Sequence, residues 1–302
     1  MGSLLAEDVP RIRWAELWRR LGTGPAVWHA HRVNELLVGL LLRAFFPELK
    51  LAFTRHSSRV PALSTRLVAR FADLRVSLTA ESAAAFGLGS TVVGHGADLR
   101  QFAPPVDRAA AFRALGVGGE RGLGVVGRLR PAKGQEDFAT AVAPLLRRWP
   151  EWRALLVGEA KRRDRGWARS LEAMGLKLCG MHQDVAPWYR GLSVVVQPSR
   201  EEAFSLVPLE AMASGCCVVA SALPYARQVV EHGRTGFLYP PGDVEALRAV
   251  LEELMASPER AEQVGRSAAE EARARLGVDR EAALLLEAYR GLLRARPPAG
   301  AG

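Results

Sequence analysis

The sequence predicts an α/β protein of two tandem doubly wound domains, each a parallel sheet with helices on both faces. Short apolar, β-rich runs alternate with longer helical patterns along the chain, the mark of βαβ units. The alternation occurs twice, with a glycine- and proline-rich break between the two series. With 302 residues, 49% of them apolar, the chain can bury two moderate cores.

The first series places strands at 26–30, 51–54, 74–78 and 91–93, with helices at 34–46, 64–70 and 80–86. Gly94-His95-Gly96-Ala97-Asp98 and Phe102-Ala103-Pro104-Pro105 then break the periodicity, which sets domains at 1–103 and 104–302. The second series has strands at 122–126, 153–157, 176–179, 194–197, 216–220 and 236–239. Its helices fall at 135–148, 167–174, 207–214, 225–231 and 244–255, and two more follow at 260–275 and 280–293. From residue 296 the tail is rich in Pro, Gly and Ala and is expected to fray. Tandem α/β domains bind ligands in the cleft between them, at the carboxyl ends of strands.

The formal net charge of +9 rests mostly on arginine. It fits phosphorylated ligands, an anionic membrane face or nucleic acid. No zinc-finger spacing and no aromatic-interleaved basic strand occurs, which argues against nucleic acid. Three cysteines, Cys179 and the adjacent Cys216 and Cys217, are too few and too odd for a disulfide framework, so a reducing, cytoplasmic setting is expected. Met1-Gly2-Ser3-Leu4-Leu5 runs into acids rather than a long apolar stretch, and no signal peptide is expected. The longest apolar run, 36–42, is far short of the ~20 residues of a membrane span.

The segment from Arg200 to Gly215 carries the most chemistry. Ser205 and Pro208 open a short helix and Gly215 closes it, so Glu202 lies in the preceding loop and Glu210 on the first turns. Backbone N–H groups from about Phe204 to Val207 favour an anion, and the two carboxylates can accept hydrogen bonds from sugar or ribose hydroxyls. Taken alone, the pair also reads as surface acids flanking a core helix. Gly127-Arg128-Leu129-Arg130-Pro131-Ala132-Lys133-Gly134 brings three cations to a helix start, a phosphate cradle with Arg128 and Lys133 as contacts. Taken alone, this is also a basic surface loop, and it is neither a Walker loop nor a full G-x-G-x-x-G. Together the two loops supply phosphate donors and hydroxyl acceptors, as a nucleoside diphosphate sugar requires.

His29 and His31 lie two apart at a strand end and point the same way. They can begin a metal site or pack locally, and with no third ligand near in sequence no metal is expected. His56 follows a strand directly, His95 belongs with the turn between glycines, and His182 and His232 receive no role. Trp188 stands in a short helix, where packing on the sheet competes with base stacking. The leucine-rich helix 34–46 fits either a sheet or a lipid surface.

These residues resemble the retaining glycosyltransferases of family 4, which have the GT-B fold of two Rossmann-like domains, and among them the bacterial mannosyltransferases of lipopolysaccharide core assembly. The resemblance runs from about Val27 to the end. It rests on His29-Ala30-His31-Arg32, Thr54-Arg55-His56, Gly94-His95-Gly96-Ala97-Asp98, Gly127-Arg128-Leu129 with Lys133-Gly134, and Glu202 to Glu210 followed by Ala211-Met212-Ala213-Ser214-Gly215. Gly233-Arg234-Thr235-Gly236-Phe237 completes it. The pattern is entered partway through the first domain, which is therefore expected to be shortened. Ala203 and Ser205 stand where members usually carry glycine, and Gln228 where an acid is common.

The resemblance implies that Arg128 and Lys133 hold the donor pyrophosphate and that Glu210 binds the ribose. Glu202, with the backbone around Phe204, Ser205 and Leu206, grips the donor sugar, and His56 reaches the sugar or the acceptor. The activity implied is metal-free transfer of a hexose from a GDP-, UDP- or ADP-sugar to a lipopolysaccharide or other surface glycan, with no further cofactor. Glycan or glycolipid acceptor and an anionic inner membrane face are the partners implied. The alternative is a non-catalytic nucleotide-sugar-binding or partner protein with a degenerate glycosyltransferase fold.

Overall fold

A computed structural model of the chain describes residues 12–57 and 59–294. The start at 1–5 and the tail from 296 lie outside the described residues. Two compact units divide the described chain: unit one lies in 12–56, 60–92 and 285–294, and unit two in 57, 59 and 93–284.

Unit one contains α1 (Trp14–Leu21), β1 (Val27–Ala30), α2 (Val33–Phe45), β2 (Lys50–Arg55), α3 (Leu63–Ala69), β3 (Leu74–Ser77), α4 (Ala80–Phe86) and β4 (Thr91–Val92). Its sheet has the order β1-β2-β3-β4, with every pair parallel. Because sequence neighbours are also spatial neighbours, right-handed crossovers set α2, α3 and α4 on one face. The core follows: Leu36 and Leu42 of α2, Leu51 and Phe53 of β2, Ala69 of α3 and Phe86 of α4 form one buried cluster. The period of two sends Thr54 and His29 to the opposite face, where Tyr289 meets His29.

Unit two contains α5 (Arg108–Ala114), β5 (Arg121–Val126), α6 (Gln135–Arg148), β6 (Trp152–Val157), α7 (Arg165–Ala173), β7 (Lys177–Gly180), α8 (Ala186–Gly191) and β8 (Val194–Gln197). It continues through α9 (Val207–Ala213), β9 (Cys217–Ser221), α10 (Pro224–Val229), β10 (Gly236–Tyr239), α11 (Val244–Ala256) and α12 (Pro258–Arg275). The last helix, α13 (Val278–Arg294), begins in unit two and from Leu285 belongs to unit one. The sheet order is β10-β9-β8-β5-β6-β7, all parallel. From β5 the chain winds outward through β6 and β7, then returns to β8 and winds the other way, so the topological switch point lies between β5 and β8. Both sheet faces are buried. Val125, Leu156 and Val219 pack with α6 and α11, while Val195, Val218 and Ala220 pack with α9 and α12. This two-sided burial explains why the strands read as continuous apolar runs.

Most expected elements are present within a residue or two. α1 and α5 are additions. α1 carries Trp14, Leu17, Trp18 and Leu21 at i, i+3, i+4 and i+7, a helical period the expectation passed over, whereas the apolar content of α5 is almost all alanine apart from the buried Phe112.

Candidate functional site

Two glycines let the loops at the carboxyl edge of unit two close on one another. Gly134, with φ +71°, lies where a Cβ would sit 1.9 Å from the Pro198 carbonyl oxygen, so the loop after β5 rests directly on the loop after β8. Gly158, with φ +150°, does the same between the loops after β6 and β5, where a Cβ would be 2.0 Å from the Gly127 oxygen. The switch point is thus closed backbone to backbone.

Across that junction the Lys133 ammonium donates to the Glu202 carboxylate. Both side chains are largely shielded, with 22% and 18% exposed, which strengthens the pair relative to a surface one. The loop carrying Glu202 is anchored on either side. Arg200 donates both Nε and Nη2 to the buried Asp137 of α6, at 3.0 and 2.6 Å. Beneath it, Gln197 donates to Ser199 Oγ at 3.0 Å, and Ser221 Oγ donates to the Ser199 carbonyl at 2.5 Å. Ser205 turns inward: it is buried, and its Oγ lies 3.4 Å from the Val207 amide. The Ser205 side chain therefore leaves the loop's outer surface clear.

Glu210, in the opening turns of α9, accepts the Tyr189 hydroxyl at 2.8 Å. Burial raises its pKa above the usual carboxylate range, and the Tyr189 hydrogen bond opposes that shift. Burial and the neighbouring Glu210 together push the Tyr189 phenol well up. Phe204 stands edge-on to His95 at 5.2 Å and against Tyr225 at 5.5 Å. His95 Nδ1 lies 2.9 Å from Glu281, whose other oxygen accepts the Gly96 amide at 2.9 Å. The turn at Gly94-His95-Gly96 thus reaches the Phe204 ring, a link its spacing did not reveal.

A cavity of about 470 Å³ opens at the ends of β5, β6 and β7. Arg128 lines it, with Gly158, Lys161, Arg162, Met181 and His182. His182 Nε2 donates to the Cys179 carbonyl at 2.8 Å, and its ring packs on Trp188 at 4.8 Å. This cavity was missed in the sequence. The adjacent cations after Gly158 were its only signal, and His182 looked like a plain loop residue.

In unit one, His56 ends beside His31, with Nε2 and Nδ1 2.8 Å apart. His31 stacks on His29 at 4.5 Å, and His29 is held by Thr54 Oγ1 at 2.6 Å and by the Tyr289 hydroxyl. Burial, then the charges of His31 and His56, lowers the His29 pKa to about 4, so that ring is neutral at pH 7. Glu35 accepts the His31 and Arg32 amides at 2.8 and 3.1 Å, fixing the strand end as α2 begins. The pairing of His29 with His31 extends to His56, 25 residues further on, because β1 and β2 are parallel neighbours in register. Among the described residues no group of His, Cys, Asp and Glu is arranged to hold a metal ion.

Residues 120–257 match the family model described as Glycosyl transferases group 1. The lipopolysaccharide core biosynthesis mannosyltransferase LpcC of Rhizobium leguminosarum bv. viciae is 35% identical, over 97% of this chain and 87% of its own length. The crystal structure of the C-terminal domain of the group 1 protein LpcC from Francisella tularensis is 27% identical, with a TM-score of 0.56 over 61% of this chain and all of that domain. The crystal structure of Anabaena HepE with UDP is similar in fold, with a TM-score of 0.78 and 23% identity over 92% of this chain and 81% of its own. The chain belongs to the group 1 glycosyltransferases, which have the GT-B fold, and lipopolysaccharide core biosynthesis mannosyltransferases are among its similar relatives.

Proposed function

We propose that the chain is a retaining hexosyltransferase that moves a mannose- or glucose-type residue from a nucleoside diphosphate sugar to lipopolysaccharide or another surface glycan. The observation that carries this reading is the Lys133–Glu202 contact at the switch point between β5 and β8, where open α/β sheets take their ligands. It sets a phosphate-seeking ammonium beside a hydroxyl-seeking carboxylate, the two functions that a nucleotide sugar needs side by side. Arg128 and Lys133 take the pyrophosphate, Glu210 the ribose, and the cavity beside Arg128 the base. Glu202 and the amides of Phe204, Ser205 and Leu206 hold the sugar, and His56 donates to the sugar or the acceptor.

In the transfer step the acceptor hydroxyl oxygen bonds to the anomeric carbon on the face from which the nucleoside diphosphate departs. The bond from that carbon to the phosphate oxygen breaks, and the hydroxyl proton passes to an oxygen of the leaving phosphate. Arg128 and Lys133 stabilise the charge on the leaving group, so the reaction is metal-free in this reading. The names of the relatives support the donor and sugar class: LpcC is a mannosyltransferase, and HepE has been solved with UDP and with UDP-glucose.

The test is a thermal-shift screen of GDP-, UDP- and ADP-sugars followed by transfer assays. One donor class should raise Tm. Arg128→Ala and Glu202→Ala should each cut turnover by about a hundredfold or more, with no effect of a chelator on the wild type. Equal product from wild type and both variants sinks the proposal. A donor that stabilises the fold without any turnover identifies a binding protein instead.

A further inference from the structure

We propose that Glu281 is a positioning residue for the donor sugar: acting through His95, it holds the Phe204 loop in the shape that grips the sugar. This role rests on the reading of the Phe204, Ser205 and Leu206 amides as the grip, and every residue in it lies in unit two.

Backbone alone brings the start of α13 to the turn at Gly94-His95-Gly96. The Ala97 amide donates to the Leu276 carbonyl at 2.8 Å, and the Val278 amide to the Ala97 carbonyl at 2.9 Å. A Cβ at Gly96 would lie 2.5 Å from the Gly277 carbonyl, so the two segments touch main chain to main chain. Glu281, in the opening turns of α13 and with its side chain only 19% exposed, then reaches back to the turn. One carboxylate oxygen accepts the Gly96 amide at 2.9 Å, and the other lies 2.9 Å from His95 Nδ1. A carboxylate only accepts, so Nδ1–H is the donor and the imidazole is held in one orientation.

The ring held in this way touches the sugar loop. His95 and Phe204 stand edge-on, with centroids 5.2 Å apart and planes at 87°. The other ring against Phe204, Tyr225, is fully buried in the unit-two core and is fixed by packing. His95 sits on a turn and takes its aim from Glu281. Within the loop Glu202 is tied to Lys133 and Ser205 is buried, so the Phe204 amide between them is aimed by where its ring rests. A cavity of about 150 Å³ bordered by His95, Phe204, Gln228, Glu281 and Leu284 gives the imidazole room to turn once the carboxylate is gone. The backbone bonds at Ala97 keep the turn on α13 without Glu281. What the carboxylate adds beyond the Gly96 bond is the direction of one ring, and that ring's contact is with Phe204.

The experiment is calorimetric titration of the full chain with a sugar nucleotide and with its sugar-free nucleoside diphosphate: GDP-mannose against GDP, UDP-glucose against UDP, and ADP-glucose against ADP. Phe204→Ala, which disturbs the loop directly, should weaken the sugar nucleotide and spare the diphosphate. Glu281→Ala should do the same by about three- to tenfold, the worth of an edge-on ring pair. Phe204→Ala/Glu281→Ala should weaken it no further than Phe204→Ala alone, because the two act through one contact. His95→Ala leaves the bond from the Gly96 amide to Glu281 in place and should match Glu281→Ala on an intact turn. Glu281→Gln should restore binding, since its amide can donate to neutral His95 Nδ1 and its oxygen can still accept the Gly96 amide. A shift in selectivity with Phe204→Ala but with neither His95→Ala nor a folded Glu281→Ala overturns the role of Glu281 and leaves the grip standing. Equal weakening of both ligands by Glu281→Ala overturns it too, because the residue then serves the fold. Unchanged selectivity in Phe204→Ala, or no binding of any sugar nucleotide by wild type, overturns the grip itself and the role of Glu281 with it.

Discussion

The carboxyl edges of the two sheets are furnished in opposite ways. In unit two this edge carries two ion pairs, Lys133 with Glu202 and Arg200 with Asp137, beside Glu210, which accepts the neutral Tyr189 hydroxyl. In unit one the same edge carries three imidazoles bonded to one another and to hydroxyls, with His29 held neutral at pH 7. Fixed charges suit a ligand that arrives charged, such as a pyrophosphate. A neutral imidazole such as His29 gives and takes directed hydrogen bonds at little electrostatic cost, which suits hydroxyl groups. The contrast is one of charge: unit two presents ion pairs at this edge, and unit one hydrogen-bonded imidazoles.

The sharpest way to break this contrast is to spoil the closure on which the charged edge depends. Gly134→Ala places a methyl group 1.9 Å from the Pro198 oxygen on a backbone at φ +71°. It should cost about 2 kcal/mol or more of stability and separate Lys133 from Glu202. Loss of that alignment should cut transfer about a hundredfold. Gly233 is the control: its φ of +78° is similar, but nothing lies within 4 Å of its Cβ position. Gly233→Ala should lower Tm only modestly and leave the rate alone. Equal rates for the two variants would show that the junction between the loops after β5 and β8 does not set the site.

The imidazole edge should respond more mildly. His31→Ala removes the 2.8 Å partner of His56. One lost hydrogen bond of about 1–1.5 kcal/mol corresponds to roughly a tenfold lower kcat, with the donor KM unchanged. His31→Gln can still offer a donor or an acceptor at a similar reach and should recover part of that loss. A fall of kcat and donor affinity together, without rescue by Gln, would place His31 with the fold rather than with His56.

What the sequence made legible follows the same division. The strands and the loops that end them were readable because buried parallel strands are short apolar runs, and glycines mark the loops that follow. Glu202, Glu210, Arg128 and Lys133 stood out because they gather at helix starts that follow apolar runs. The spacing did not reveal that Lys133 and Glu202, 69 residues apart, touch, since that depends on β5 and β8 being neighbours. Nor did it reveal the grouping of His29 and His31 with His56 or the contact of His95 with Phe204, both products of long-range packing. The leucines of α2 admitted a sheet and a lipid surface as alternatives; Leu36 and Leu42 are buried against the sheet, while Leu37, Leu41 and Phe45 are exposed.

The smallest effect sharpens the comparison within unit two, because Glu210 is the acid there whose partner carries no charge. Burial raises its folded pKa, so its protonated form is the one the fold favours. The stability this contributes is present below the unfolded value and is lost as pH rises through the raised folded value. At neutral pH the Glu210 carboxylate therefore works against the fold, kept there by whatever use it has. Glu210→Gln keeps the shape, and its amide oxygen can still accept the Tyr189 hydroxyl. The variant should melt about 2 °C above wild type at pH 7, and the two should converge as the pH falls towards 4. Its donor affinity should fall at the same time, because a neutral amide is a weaker acceptor than a carboxylate for the two ribose hydroxyls. A variant that melts lower than wild type at pH 7 would mean that the charge of Glu210 already serves the fold, and that its place beside Tyr189 is structural rather than held ready for a ligand.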